Sequence, residues 1–404
     1  MRRVGLVDTL KPQRINELLP RCMEDHGVDM WILFTREGAV DPLAFDVGFE
    51  RVVARSAAIF IRKGKTFRKT AIVGTYDVES IKSQELYDEV IGYAAEGVAP
   101  ALKKIIDEVQ PEVIALNYSR DLPTSDGLTH GNWTFLSEVF GEEILGRVVS
   151  AEPLVVSFRG KKLPTEVALL EQLAIMCQDV IRDALSPRTI VPGVTRERDI
   201  AEFMDRKISE MGYEYYAIHV SGSVSRGHAE PTDELINPGS LVRINLSGEN
   251  QGYICDIQRT AYVRRRGETE VPEVISRMWE TTLAANRAGL AVVSPGIPAT
   301  EIDAAARKVI VDAGFNEYPH AGGHPIGRTV HDVGPIIGPD WPERYGSTVW
   351  HKIEVDQVFA IEPTIYSEID WIGGMVEIAL EENFVVEEEG ARVFGTPQEE
   401  LMVL

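Results

Sequence analysis

The sequence predicts an α/β protein in two parts, with a mixed α/β unit over residues 1–156 and a larger α+β unit over residues 157–404. Two observations predict it. Short apolar strands alternate with helical segments through the first part, and helix and strand signals recur in duplicate through the second. A third observation places the chemistry. Residues 320–331 read His-Ala-Gly-Gly-His-Pro-Ile-Gly-Arg-Thr-Val-His, holding three of the eight histidines of the chain. Glycines 322, 323 and 327 let backbone pass close to whatever those histidines touch.

In the first part, Ile15 to Met23 reads as a helix and Met30 to Phe34 as a strand. Ala54 to Ile61 and Thr70 to Val73 read as strands on either side of the basic turn Arg62-Lys63-Gly64-Lys65. Leu102, Ile105, Ile106 and Val109 recur at a helical period ahead of a strand at Val113 to Leu116. The alternation predicts a mostly parallel sheet, and no phosphate-binding glycine loop is present. A basic stretch, Ser157 to Pro164, reads as the linker. It leads into a long helix over residues 165–185, whose start suits Pro164 and Thr165.

The second part repeats itself. Pro192-Gly193-Val194 precedes a helix with Asp199 that closes at Gly212; Pro295-Gly296-Ile297 precedes one with Glu301 that closes at Gly314. The interval from 199 to 212 equals that from 301 to 314, and each closing glycine suits a left-handed cap. Each copy runs on to a histidine, His228 or His331. Residues 237–245 then match 354–362 in apolar pattern, and a further strand follows in each copy, 252–260 and 375–386. Two such halves would set four strands side by side, aiming residues 245, 256, 362 and 381 into one chamber. An ionised side chain pointing inward from an apolar strand is costly unless it is paired or bound to a cation, so a buried salt bridge competes with a metal site as the reading.

Net charge is −22 over 404 residues, which argues against nucleic acid or an anionic membrane as partner. No apolar run reaches the ~20 residues of a membrane span, and the start has no apolar segment behind its arginines. Cys22, Cys177 and Cys255 show no paired spacing, so a reducing, cytoplasmic setting is expected. Asp256, Glu362, Glu381 and His324 form an oxygen-rich set with one nitrogen. That set suits one or two ions of Mn²⁺, Fe²⁺, Co²⁺ or Zn²⁺, which lower the pKa of a bound water. His228 and His331 remain as proton donors or oxyanion stabilisers.

Ser-Gly-Ser-Val-Ser-Arg-Gly-His, Gly-Tyr-Ile-Cys-Asp-Ile-Gln-Arg-Thr, the stretch 320–331, Ala-Ile-Glu-Pro-Thr-Ile-Tyr and Ala-Leu-Glu-Glu-Asn-Phe-Val-Val occur in that order. They resemble the motifs of the pita-bread family of creatinase, aminopeptidase P, prolidase and methionine aminopeptidase, over residues 160–404. The first part resembles the creatinase-type N-terminal domain. The resemblance implies a pseudo-twofold catalytic domain and a metal pair. Its ligands would be Asp256, His324, Glu362 and Glu381, with Asn245 at the fifth, usually aspartate, position. It implies catalytic roles for His228, His331 and Glu362, and substrate binding by His320. It also implies a homodimer acting on small peptides or amino-acid-derived substrates.

Two departures stand out. Asn245 and Ser247 replace the family's Asp-x-Gly, which should weaken one metal position of the pair far more than the other. Ala379 stands where proline-specific members commonly carry an arginine for the substrate; Arg328 or Arg259 could substitute. Three readings follow. The first is a metal-dependent Xaa-Pro peptidase. The second is a creatinase- or ectoine-hydrolase-like C–N hydrolase or lyase acting on a small metabolite, with one metal or none. The third is a binding protein without activity.

Overall fold

The structure, a computed structural model, describes residues 5–404. The chain divides into two compact units, one ending at Arg159 and the other running from Gly160 to Leu404. The residues expected to form a basic linker do not begin as one. A helix, Glu152–Gly160, extends through Ser157 and Phe158, both fully buried. The apolar run Leu154-Val155-Val156 supplies the face that holds it down.

The first unit is built on a six-stranded sheet. Its strands are β1 (Met30–Thr35), β2 (Ser56–Lys63), β3 (Thr66–Gly74), β4 (Glu89–Tyr93), β5 (Ile114–Leu116) and β6 (Val148–Ser150), in the order β4-β3-β2-β1-β5-β6. Three pairings are parallel, β1/β5, β5/β6 and β3/β4, and two are antiparallel, β1/β2 and β2/β3. The basic turn makes β2 and β3 a hairpin, with Gly64 at φ +60°. Leu102, Ile105 and Ile106 of helix Ala99–Val109 join the core cluster that contains Ile32, Ile59 and Ile114. The first helical segment starts earlier than expected. It runs as Leu6–Gln13, a π turn over Arg14–Leu18, and Leu19–Asp25. The π turn precedes Pro20, whose ring would clash with the carbonyl four residues back in a regular helix.

The second unit twice runs two helices and then a set of strands. Helices Pro164–Ala184 and Glu197–Glu210 precede β7 (Glu214–Ser221), β8 (Leu241–Asn250), β9 (Tyr253–Ile254) and β10 (Ile257–Tyr262). Helices Glu273–Val292 and Ala299–Asp312 precede β11 (Gly323–Pro325), β12 (Val358–Ile361), β13 (Thr364–Ile369), β14 (Gly374–Ala379) and β15 (Glu382–Glu387). The closing glycines have matched left-handed backbones, φ +79° at Gly212 and +83° at Gly314. In each half an acid near the start of the second helix holds a glycine N–H in the loop beyond. Gly222 donates to Glu197 Oε1 at 2.7 Å, and Gly322 donates to Asp303 Oδ1 at 3.0 Å. Both carboxylates are almost fully buried.

The strands carry interruptions that the sequence pattern did not show. The segment expected as one strand over 375–386 is broken between β14 and β15, at Leu380 and Glu381. The segment 252–260 is broken at Cys255 and Asp256. Glu362 lies in the gap between β12 and β13, where Pro363 cannot donate to a ladder. Side chains take over the freed backbone groups. Asn383 donates through Nδ2 to the Asp256 carbonyl at 2.6 Å and accepts the Asp256 N–H at 3.2 Å. Arg259 donates to the Glu381 carbonyl at 2.7 Å and pairs with Glu382 at 2.8 Å. An isolated bridge, Gln258 to Glu381, joins the two halves at their seam.

Close approach governs Gly323. It pairs with Ile361 across β11/β12, and a Cβ built there would sit 2.2 Å from the backbone oxygen of Ala360. Gly323→Ala is therefore expected to cost at least about 1–3 kcal/mol through forced separation of the two strands. Urea unfolding monitored by circular dichroism checks this, with Gly64→Ala as the comparison; its Cβ meets nothing within 4 Å, though its positive φ still carries a small backbone cost.

Candidate metal centre

Three strand interruptions and one strand aim four side chains inward. Asp256 comes from the β9/β10 break, Glu362 from β12/β13, Glu381 from β14/β15, and His324 from the middle of β11. His324 Nε2 is the common neighbour. It lies 3.9 Å from Asp256 Oδ2, 3.9 Å from Glu362 Oε1 and 3.7 Å from Glu381 Oε1. Ligand atoms of Asp256, His324 and Glu381 all fall within 4.8 Å of one another. Glu381 is fully buried, and its Oε1 accepts no hydrogen bond among the described residues. A buried, unpartnered carboxylate oxygen beside a histidine nitrogen and two more carboxylates fits a divalent cation, as does the donor chemistry.

The electrostatics point the same way. Burial, and then the Glu381 charge, push Asp256 up to about 7 and Glu362 up to about 8. Burial alone would lower His324, but the neighbouring Glu381, Glu362 and Asp256 carboxylates override it and push its imidazole up to about 9. Protons therefore take the place that a cation would otherwise neutralise.

Asn245, from the uninterrupted strand β8, completes the ring differently. Its Nδ2 donates to Asp256 Oδ1 at 2.7 Å and lies 3.3 Å from Glu381 Oε2. Ser247 Oγ adds a donor to Asp256 Oδ1 at 3.0 Å. With carboxylates on two sides, the amide presents its N–H groups rather than its oxygen.

These groups open onto a cavity of about 410 Å³. Its lining includes His228, His320, His324, His331, Asp256 and Glu362. The His331 ring stands edge-on to His324 at 4.4 Å between centroids. His228 stacks on His219 at 5.3 Å between ring centroids, so His219 supports the wall of the cavity. His320 Nδ1 sits 2.7 Å from the Ala321 carbonyl, and burial lowers its pKa.

The expected arginines are elsewhere. Arg328 is not among the residues lining the cavity, and Arg259 lies behind the wall in its pair with Glu382. Arg328 belongs to a tight loop in which its own N–H donates to Asp332. The cavity arginines are Arg243 and Arg344, which sequence reasoning missed, together with Gln258, Tyr366 and Glu377. Arg243 is two residues before Asn245 on β8, so strand alternation puts both on one face. It pairs with Glu377 at 2.6 Å and donates to Gln258 Oε1 at 2.9 Å; Gln258 in turn donates to Glu362 Oε2 at 3.2 Å. That periodicity was the available signal. A larger surface hollow of about 680 Å³ near Lys207 and Asp183 gathers no comparable set of histidines and carboxylates.

Two further expectations meet the structure here. Cys177 and Cys255, distant in sequence, are buried thiols with sulfurs 3.5 Å apart. No described helix is long and apolar enough to cross a membrane.

A duplicated α+β unit whose seam gathers three carboxylates around a histidine beside one cavity defines the class of a metal-dependent hydrolase. The profile of metallopeptidase family M24 matches residues 168–388, and the chain belongs to that family. It is accordingly a metallopeptidase-like hydrolase. It is 26% identical to an Xaa-Pro dipeptidase of Lactobacillus helveticus over 81% of this chain and 83% of that protein. It is 31% identical to an Xaa-Pro dipeptidase of Lactobacillus delbrueckii subsp. lactis, over 46% of each chain. Among solved structures, the fold is shared with the Mycobacterium ulcerans dipeptidase PepE (TM-score 0.70, 20% identity, 98% of each chain). It is also shared with an Xaa-Pro dipeptidase from Bacillus anthracis (TM-score 0.67, 21% identity, 98% of this chain and all of that one).

A pH dependence follows from the cluster. Asp256, Glu362 and His324 are all raised in the folded, metal-free protein. Each binds its proton more tightly folded than unfolded, so its contribution to stability is full below the unfolded pKa. That contribution is lost as pH rises through the folded value. In chelator, the melting temperature is expected to fall from pH 5 to pH 9, and added Mn²⁺ to restore most at the alkaline end. Differential scanning calorimetry of wild type beside the Asp256→Asn/Glu362→Gln double variant checks it; an equal slope in both would remove the cluster as the cause.

Proposed function

We propose that this protein is a divalent-metal-dependent hydrolase of short peptides that cleaves the bond before proline. The observation that carries the reading is the convergence of Asp256, Glu362 and Glu381 on His324, beside a cavity that His228, His320 and His331 also line. The names of the relatives support the substrate class. Asp256, His324, Glu362 and Glu381 would hold Mn²⁺, Fe²⁺, Co²⁺ or Zn²⁺. A divalent ion there supplies Lewis acidity and a nucleophile available near neutral pH.

The chain supplies the rest. Glu362 accepts a proton at its carboxylate and passes it toward the leaving nitrogen. Gln258 steadies that carboxylate through Oε2. His331, beside His324, donates a hydrogen bond to the developing oxyanion, and His228 does so from the opposite half. In place of Arg328, Arg243 and Arg344 are the cavity cations that meet a substrate carboxylate, with His320 beside them. Arg243 reaches in from β8, whose residue 243 pairs with Thr260, itself hydrogen-bonded to the carbonyl of Ala379. It thus comes from the strand flanking the row in which no arginine stands at 379.

A second reading keeps the hydrolase but changes the substrate. The pair of Arg243 and Glu377 presents both signs of charge, 2.6 Å apart, on one wall. That arrangement matches the head group of a small amino-acid-derived metabolite with a different C–N bond at the metal.

The deciding assay loads the full-length protein with Mn²⁺, Co²⁺ or Zn²⁺ and follows Ala-Pro and Gly-Pro against Ala-Ala. Turnover of the proline dipeptides is expected, with His331→Ala lowering kcat by about 10²–10³ and leaving bound metal unchanged. Metal-loaded protein that cleaves neither proline dipeptide would end the prolidase reading.

A further inference from the structure

We propose that this chain holds a single divalent ion, because its own side chains occupy the second position with hydrogen-bond donors. The inference rests on the site being a metal centre and is independent of which substrate it serves.

The argument is in the sorting of oxygens. Each of the three carboxylates turns one oxygen toward His324 Nε2: Asp256 Oδ2 at 3.9 Å, Glu362 Oε1 at 3.9 Å and Glu381 Oε1 at 3.7 Å. On that side Glu381 Oε1 is buried and takes no hydrogen bond among the described residues, so it has an unmet demand for positive charge. The other oxygens face away and are served. Asp256 Oδ1 accepts from Asn245 Nδ2 at 2.7 Å and from Ser247 Oγ at 3.0 Å. Glu381 Oε2 accepts from the same Asn245 amide at 3.3 Å, and Glu362 Oε2 from Gln258 Nε2 at 3.2 Å. One cluster of oxygens is thus open to a cation, and a second is closed by neutral N–H and O–H groups.

A second ion would have to displace those donors. A carboxyl group can release its proton to a metal, but an amide cannot, and turning Asn245 over would set its oxygen against two carboxylates with only a neutral dipole to offer. Ser247 matters as much as Asn245, because its hydroxyl would still hold Asp256 Oδ1 if only residue 245 became acidic.

The test is a stoichiometry. Full-length protein, stripped with chelator and dialysed, is titrated with Mn²⁺ by isothermal calorimetry, and the saturated sample is read by electron paramagnetic resonance. Wild type is expected to take up one Mn²⁺ per chain, with the spectrum of isolated ions. The Asn245→Asp/Ser247→Gly double variant is expected to take up two, with spin-coupled features, and Asn245→Asp alone to remain near one. Two Mn²⁺ per wild-type chain would overturn the inference. So would no uptake by protein with a native circular dichroism spectrum, or a folded double variant that stays at one. If the double variant does not fold, the wild-type stoichiometry decides alone. One Mn²⁺ bound without cleavage of any proline dipeptide would leave this inference standing and remove the proposed substrate instead.

Discussion

Mutual repulsion among Asp256, Glu362 and Glu381 is the constraint on which the second unit depends. Buried carboxylates at this spacing cannot all ionise unless positive charge is brought in, and the surrounding fold is arranged to hold them together regardless. Rigidity comes from the seam between the halves. Asn383 grips both backbone groups of Asp256, Arg259 grips the carbonyl of Glu381, and Gln258 bridges to Glu381. The strand breaks that would otherwise weaken the sheet are thus pinned by side chains, and each one releases an acid from the pleat so that it reaches the common centre.

The duplication explains why such a centre forms at all. Each half supplies a helix, a glycine turn, a loop tethered by a helix-borne acid, and strands that end at the seam. Neither half alone gathers all four ligands. His324, Glu362 and Glu381 come from the second half and Asp256 from the first, so the full set exists only where the halves meet.

Much of this was legible in the residues. The equal spacing of Asp199 to Gly212 and Glu301 to Gly314 marks helices that end at left-handed caps, because few residues other than glycine adopt that backbone cheaply. Acids standing next to apolar strand runs, at 256 and 362, marked the site because burial of an ionised group needs a reason. What stayed hidden depended on tertiary contact. The breaks at Asp256 and Glu381 leave no composition signal, since the groups that compensate them, Asn383 and Arg259, are distant or ambiguous in sequence. Arg243 was overlooked because it reads as a lone charge in an apolar strand, and its value appears only beside Glu377 and Gln258. Arg328 drew attention by standing in the histidine stretch, but a chain that turns tightly through Gly327 and Asp332 leaves its side chain outside the cavity lining. The basic stretch after residue 156 looked like a linker by charge, whereas the apolar residues just before it carry a helix through to Gly160.

The hydrogen bond from Ser247 to Asp256 has a bearing on descent. Restoring an aspartate at position 245 by itself would place a fourth carboxylate among three, while the serine hydroxyl still held the oxygen a second ion would need. That intermediate carries added repulsion without the added cation, and stability margins of natural proteins are too narrow to absorb such a step freely. The reverse order is no better, since a glycine at 247 alone strips a donor from a buried carboxylate and supplies nothing in return. The two positions are therefore locked to each other, and a lineage that acquired both has no downhill single-residue route back.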